Sequence, residues 1–400
     1  MSPLPPAAPS AAPPGTQRTV LRVVAAVVLL VLMFSLVSPV LAVRLQAQAH
    51  SAAAIGFVLM LPFATVACAL PLLPRLFARF GPGPVLRAGL ALETLATGLY
   101  LLSPDFRWVC AAGVLCGLGA AAAWNGTEAL IAHHAPPAAR GRWTGLYQTA
   151  LGGALALGPF LPGLLGLGTQ AALGLALAGQ MGAVLMCLGP AVDALQASPP
   201  GAPARGSGWA LRQRPGLVWC ALVGGVFEAG LAALSAAQGA ALGWSLGAAT
   251  ALAGVLGVGS FLLQYPAGHA ADRVGARPLL AGAAALLLLA TLPLALGAPA
   301  EPWLWPAVAA WGGVGGALYT LTMVRTAQAF ASQSALAGTA AVIGGYTVGG
   351  AIGPLISGSL LDRAGLPGLA SGLCLLALSV ALLAWRERPA AGSAASGPAG

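Results

Sequence analysis

The sequence predicts an all-α integral membrane protein with twelve transmembrane helices in two pseudo-symmetric six-helix bundles. Three observations predict it. Hydrophobic residues make up 58% of the chain, charged residues 7%, and mean hydropathy is +0.87; a soluble domain carries about 25% charged residues. The apolar residues come in long runs without period-two alternation, which selects helices over a barrel. The two halves of the chain also repeat one another at a nearly constant offset.

A helix needs about 20 apolar residues to cross about 30 Å of hydrocarbon. Residues 1–17 are rich in Pro, Ala and Ser and are expected to be a disordered tail. The first span, 19–43, is too long for a signal-peptide core and reads as a retained helix. Spans 51–73, 84–103, 108–132, 143–166 and 170–192 complete an N-terminal bundle, 18–192. The stretch 193–215 is Pro, Gly and Ser rich and reads as a flexible linker. Spans 216–238, 244–266, 278–297, 303–325, 336–360 and 367–385 form a C-terminal bundle, 216–386, followed by a disordered tail, 387–400.

Arginine sets the orientation. The chain has no Lys, and 15 of its 18 Arg fall in one set of loops and ends; only Arg44, Arg107 and Arg363 fall in the other. The Arg-rich side is expected to be cytoplasmic, with both termini on it, in the cell (inner) membrane. The lipid bilayer then explains the net charge of +9 without nucleic acid, because the Arg do not gather on one face.

Other classes lack their residues. The six Cys lie in apolar runs without a CxxC pair and read as buried hydrophobes. His133 and His134 lack ligand spacing, so neither a metal nor a cofactor is expected. A phosphate-binding Walker motif needs Lys, which excludes ATP as the driver. No Ser-His-acid spacing or H-E-x-x-H motif points to an enzyme.

The repeat is carried by two loops and two helices. "LPRLFARFGPGPVL" and "AGHAADRVGARPLL" align Arg79, Gly81, Pro84 and Leu86 with Arg273, Gly275, Pro278 and Leu280, each pair 194 apart. Gly158, Pro159 and Gly163 align with Gly353, Pro354 and Gly358 at 195. Gly275 supplies a permissive backbone for a tight turn. Asp272 can accept N–H groups at a neighbouring helix start, and Arg273 and Arg277 can pair with it or with lipid phosphates.

Gly268, Asp272, Arg273, Gly275 and Arg277 resemble the G-x-x-x-D-R-x-G-R/K loop of the major facilitator superfamily. "GGALALGPFLPG" and "GGAIGPLISG" resemble its Gly-Pro helix motif, and the resemblance covers about residues 18–386. "WNGTEAL", "GGVFEAGL" and "WGGVGGALYTL" are similar to a YcaD-like branch. The resemblance implies that the loop is a latch closing the cytoplasmic ends in one conformation. Pseudo-symmetry then places Asp272 against the start of span five, near Arg140 to Thr144. In the first-half loop Pro74, Ala78 and Gly83 replace the Gly, the Asp and the second basic residue, so the two locks are expected to be unequal. Gly158-Pro159 and Gly353-Pro354 can bend their helices. The G-x-x-x-G pairs Gly113/Gly117, Gly312/Gly316, Gly345/Gly349 and Gly349/Gly353 allow close helix approach.

Three carboxylates fall within spans: Glu93, Glu128 and Glu228. An acid at a helix centre costs about 2.5–3.5 kcal/mol on insertion scales, so each needs a reason. Glu128 shares span four with Trp124 and Asn125, which together can form a wall of aromatic, amide and acid. The alternative is pairing with Arg140 or Arg142. Glu228, in span seven, sits near mid-depth of a helix that lines the cavity in the resembled fold. Glu93, in span three, reads as a structurally paired acid. Tyr147, Gln148 and Tyr319 are candidate cavity contacts, as are Ser35 and Ser38, and Arg325 snorkels from the end of span ten.

These expectations describe a secondary transporter working by alternating access. Its partners are a small-molecule solute and protons, Glu128 and Glu228 are candidate proton carriers, and a monomer is expected. A largely apolar cavity with two acids suits proton antiport with export of hydrophobic or cationic compounds. A proton symporter or uniporter for a sugar or other metabolite is the alternative.

Overall fold

The computed structural model describes residues 14–136, 139–195, 207–330 and 334–386. Residues 1–13 of the expected tail, 196–206 of the linker and the tail 387–400 lie outside the described residues. Every element described is helical.

Helix α1, Pro14–Ala47, is span one, and it takes in residues 14–17 of the stretch expected to be disordered. Span two is α2, Ala52–Ala69, capped by the Ser51 side chain, which accepts from the Ala54 N–H at 3.1 Å. Pro71 and Pro74 then break the helix into a 3-10 turn, Leu70–Leu72, and a short helix α3, Leu73–Phe80. Spans three and four are α4, Pro82–Leu102, and α5, Phe106–His134, the second capped by Asp105. Span five is α6, Arg140–Leu157, a 3-10 turn at Gly158–Phe160, and α7, Leu161–Leu164. Span six is α8, Thr169–Met186, followed by a single turn α9, Pro190–Asp193.

The linker expected to be flexible contains a short helix, α10, Ser207–Gln213. Span seven is broken: α11, Pro215–Gly225, passes into a π-helical segment, Val226–Gly230, and then into α12, Ala232–Ala241, with a bend of 45°. Spans eight, nine and ten are α13, Leu246–Val274, α14, Ala276–Ala295, and α15, Ala300–Ala329. Spans eleven and twelve run together as α16, Ala335–Arg386, divided only at Gly365, where φ is +62.

By length and composition, nine of the described helices can cross a membrane, or ten with the bent pair of span seven. The expected twelve differ at two places. The turn at Gly365 makes two spans of one helix, and span five opens on Arg140, Arg142, Thr144 and Gln148, too polar to stand out by composition.

With no hydrophobic drive between helices in lipid, close backbone approach has to hold the bundles together. The small-residue pairs supply it. A Cβ on Gly117 would stand 2.4 Å from the Pro62 carbonyl oxygen, one on Gly312 1.9 Å from that of Leu256, and one on Gly349 2.0 Å from that of Leu222. Gly345 meets Val218 and Gly353 meets Gly230 in the same way.

The repeat is visible in the backbone. Gly81 and Gly275 both take φ +82 at the turns into spans three and nine. Just beyond each turn, the two bundles solve one packing problem differently. In the second, the Arg277 guanidinium donates to the Ala384 and Trp385 carbonyls, at 2.8 and 3.0 Å, which caps the end of span twelve. In the first, Gly83 stands at the aligned place and lets span three touch the end of span six, where its Cβ would meet the Val192 carbonyl at 2.1 Å. Arg87 adds an ion pair to Asp193 at 2.6 Å.

Candidate functional site: a chamber between the bundles

The bundles meet tightly at the Arg-poor end. Asp362, at the end of span eleven, accepts from the Ala52 and Ala53 N–H groups at 2.8 and 2.9 Å, so a residue of one bundle caps span two of the other. Beside it a Cβ on Gly358 would meet the Ala52 carbonyl, and one on Gly56 the Pro354 carbonyl, each at 2.1 Å. On the other seam, a Cβ on Gly247 would lie 2.6 Å from the Gly163 Cα, and one on Gly254 2.5 Å from the Phe160 ring. Toward the Arg-rich end this seam loosens. After Gly152, which meets the Phe261 ring, Gly145 of span five has no neighbour, and neither has Gly344 of span eleven. Thr144, Gly145, Leu146, Gln148 and Thr149 are exposed there. The seam is thus tight at the Arg-poor end and looser toward the Arg-rich end, and the chamber is the space between the bundles at that looser end.

Glu228 sits at the centre of the π segment, in the C-terminal wall of this chamber. A π turn is a frequent mark of a functional position. Its Oε1 accepts from the Ser260 hydroxyl and from Gln264 Nε2 at 3.1 Å, and its Oε2 from the Tyr346 hydroxyl at 3.0 Å. Gln264 also donates to Ser260 at 2.8 Å, and Tyr319 packs on Tyr346 with ring centroids 4.6 Å apart. Gly316 leaves the space: a Cβ there would stand 3.2 Å from Glu228 Oε1. The sequence reading missed Ser260, Gln264 and Tyr346. The signal was available in span eight, where Ser260 and Gln264 sit four residues apart and so share one helix face.

Glu128 belongs to the facing wall, in the N-terminal bundle, and it is exposed. Trp124 Nε1 donates to its Oε1 at 2.9 Å, and Gln148 Nε2 reaches the same atom at 3.4 Å. Asn125 does not join this wall, because its amide donates to the Ala121 carbonyl of its own helix at 2.9 Å. Tyr147 is buried, and its hydroxyl has no hydrogen-bond partner among the described residues. Tyr319, stacked on Tyr346, completes the aromatic side of the Glu228 cage. Neither acid is ion-paired among the described residues.

The other expected residues fall as follows. Asp272 and Arg273 are exposed, and Asp272 makes no ion pair or hydrogen bond among the described residues. Arg277 turns to the end of span twelve instead of to Asp272. The separation of the bundles at this end leaves the loop nothing in the other bundle to grip; the Arg140 side chain lies outside the described residues. Gly268 packs only against Thr320 of its own bundle. The Gly158-Pro159 turn interrupts span five, but α16 continues helical through Gly353-Pro354. Ser35 bridges spans one and five by donating to the Ala154 carbonyl at 2.9 Å. Glu93 is 3% exposed inside its own bundle, beneath Gly119, and has no pairing partner among the described residues.

Comparison with known proteins decides the family. The model of the Major Facilitator Superfamily matches residues 23–240 and 217–400, between them nearly the whole chain. The chain belongs to the major facilitator superfamily. The fold is similar to that of the nucleoside transporter NupG, with a TM-score of 0.72 at 12% identity over 92% of this chain and 97% of that one. It is also similar to a D-xylose-proton symporter, at 0.67, 15%, 92% and 98% in the same order. A bacterial homologue of the human lysosomal transporter Spinster, in an inward-facing and unoccupied conformation, gives 0.64, 16%, 94% and 95%. No curated protein matches the chain in sequence.

Proposed function

We propose that this superfamily member is a proton-coupled antiporter that exports small hydrophobic or cationic compounds by alternating access. One observation carries the reading: Glu128 in one bundle and Glu228 in the other are each held by hydrogen bonds, with no ion pair to either among the described residues. Two unneutralised acids in a membrane chamber favour cations, and an acid at that depth is a functional group by default. Around them, Trp124, Tyr319 and Tyr346 offer aromatic faces suited to a cation or a ring. With the Arg-rich end in the cytoplasm, the conformation described is inward-facing, ready to load from inside.

A second reading, a proton symporter or uniporter for a sugar or other metabolite, is favoured by the fold's likeness to a D-xylose-proton symporter and to a nucleoside transporter. Everted vesicles holding an acid-inside gradient separate the two. Tetraphenylphosphonium or ethidium should collapse the gradient, while D-xylose and uridine should not. Collapse only in vesicles preloaded with the sugar or nucleoside supports proton symport, because protons then leave together with the solute, and no response to either cation refutes the first reading.

A further inference from the structure

We propose that the two chamber acids hold separate tasks: Glu228 is the seat of the coupling proton, and Glu128 is the docking carboxylate for the positively charged head of the solute. The assignment rests on the antiporter reading and divides its site in two.

The cage around Glu228 is built from one bundle. Ser260 and Gln264 come from span eight, Tyr346 from span eleven, and Gly316 of span ten presses on the carboxylate. Three donors already occupy its oxygens, so a solute could bind there only by displacing them. A proton displaces nothing. A hydroxyl can donate or accept, and an amide offers both an oxygen and an NH2. When Glu228 takes a proton on Oε1, that proton is donated to the Ser260 hydroxyl oxygen, and the Gln264 amide, whose Nε2 faces both groups, turns over to offer its oxygen to the Ser260 hydrogen. The cage therefore satisfies both the charged and the neutral acid. The titratable groups facing Glu228 are Tyr346 from span eleven and Tyr319 from span ten, while span eight offers only the non-titrating Ser260 and Gln264.

Glu128 has the opposite character. It is held by one short bond from its own helix and one long contact from span five, and it is exposed to the open chamber. Among the described residues Oε2 receives no donor and the buried Tyr147 hydroxyl has no hydrogen-bond partner. A cationic head at Oε2 has the Trp124 ring beside it. The body of such a solute can reach Tyr319 and Tyr346 on the facing wall, which joins the bundles through the solute. Its charge, felt across the chamber, disfavours the proton on Glu228, so loading expels the proton. By linkage, protonation weakens loading by the same factor.

The test uses the full chain in nanodiscs and tetraphenylphosphonium, a cation with no proton to exchange. Calorimetry in two buffers of different ionisation enthalpy counts protons released on binding, and infrared difference spectra between acid and alkaline pH report protonated carboxyls. Wild type should bind with release of protons. Glu228→Gln, which mimics the protonated acid, should bind more weakly by the linkage factor, release no protons, show pH-independent affinity and lose one infrared carboxyl component. Glu128→Gln should keep that component and lose at least about tenfold in affinity, equivalent to about 1.4 kcal/mol. Ser260→Ala, a milder change, should shift the midpoint of the infrared titration. Proton release that survives Glu228→Gln, or wild-type affinity in Glu128→Gln, overturns the assignment. A wild type that fails to bind the probe overturns the solute seat, and infrared difference spectra identical in wild type and Glu228→Gln overturn the proton seat. These are binding equilibria, so they decide the seats whether or not vesicle transport is observed.

Discussion

Asp362 offers the sharpest mechanical test. Its carboxylate caps two N–H groups of span two across the seam, at 2.8 and 2.9 Å. Replacement by Ala leaves these two groups to water. Span two keeps its own cap from Ser51, so the helix itself should survive and the loss should fall on the contact between bundles. The site is exposed, which places the effect in the range of an ordinary N-cap, about 0.5–2 kcal/mol. One or two kcal/mol shifts a two-state ratio by about 5–30-fold toward opening of the Arg-poor end. Spin labels at positions 48 and 363, in a background without the native cysteines, read the population directly by distance measurement. Asp362→Ala should enlarge the long-distance fraction, and Asp362→Asn, a good cap in its own right, should fall between. An unchanged distribution in Asp362→Ala would refute the argument that this residue holds the closed end.

Three further outcomes follow from the packing. Gly56→Leu and Gly358→Leu each place a side chain where a Cβ already meets a carbonyl oxygen at 2.1 Å, so both should keep the Arg-poor end open in the same distance measurement. Gly81→Ala and Gly275→Ala each force a side chain to φ +82 and should cost about 1–2 kcal/mol apiece in thermal unfolding, by similar amounts in the two bundles. A double-mutant cycle on Arg87 and Asp193 should give a coupling of only about 0.2–1 kcal/mol, since both side chains are partly exposed.

Much of the architecture is legible in the chain because a bilayer imposes it. Run length marks the spans, Arg asymmetry ranks their ends, and the aligned Gly81 and Gly275 announce turns of one shape. Span five was legible from its apolar run, 143–166, although its polar start weakens the signal. The acids were visible as costly exceptions, but their partners were not. Nothing local says that Tyr346, 118 residues from Glu228, completes its cage. The π segment was equally hidden, because a one-residue insertion in a helix has no composition of its own. Asp272 illustrates a different limit: a loop motif describes an interaction of one conformation, and the chain here adopts another.

The joint at Gly365 has a consequence of its own. A single residue links spans eleven and twelve, so the pair has almost no slack. When span eleven swings away from span two, its neighbour on the rim must travel with it and push aside annular lipid. Membrane thickness and lateral pressure thereby enter the energy of the working cycle. The speed of turnover should depend on acyl-chain length even for a solute that never touches the lipid.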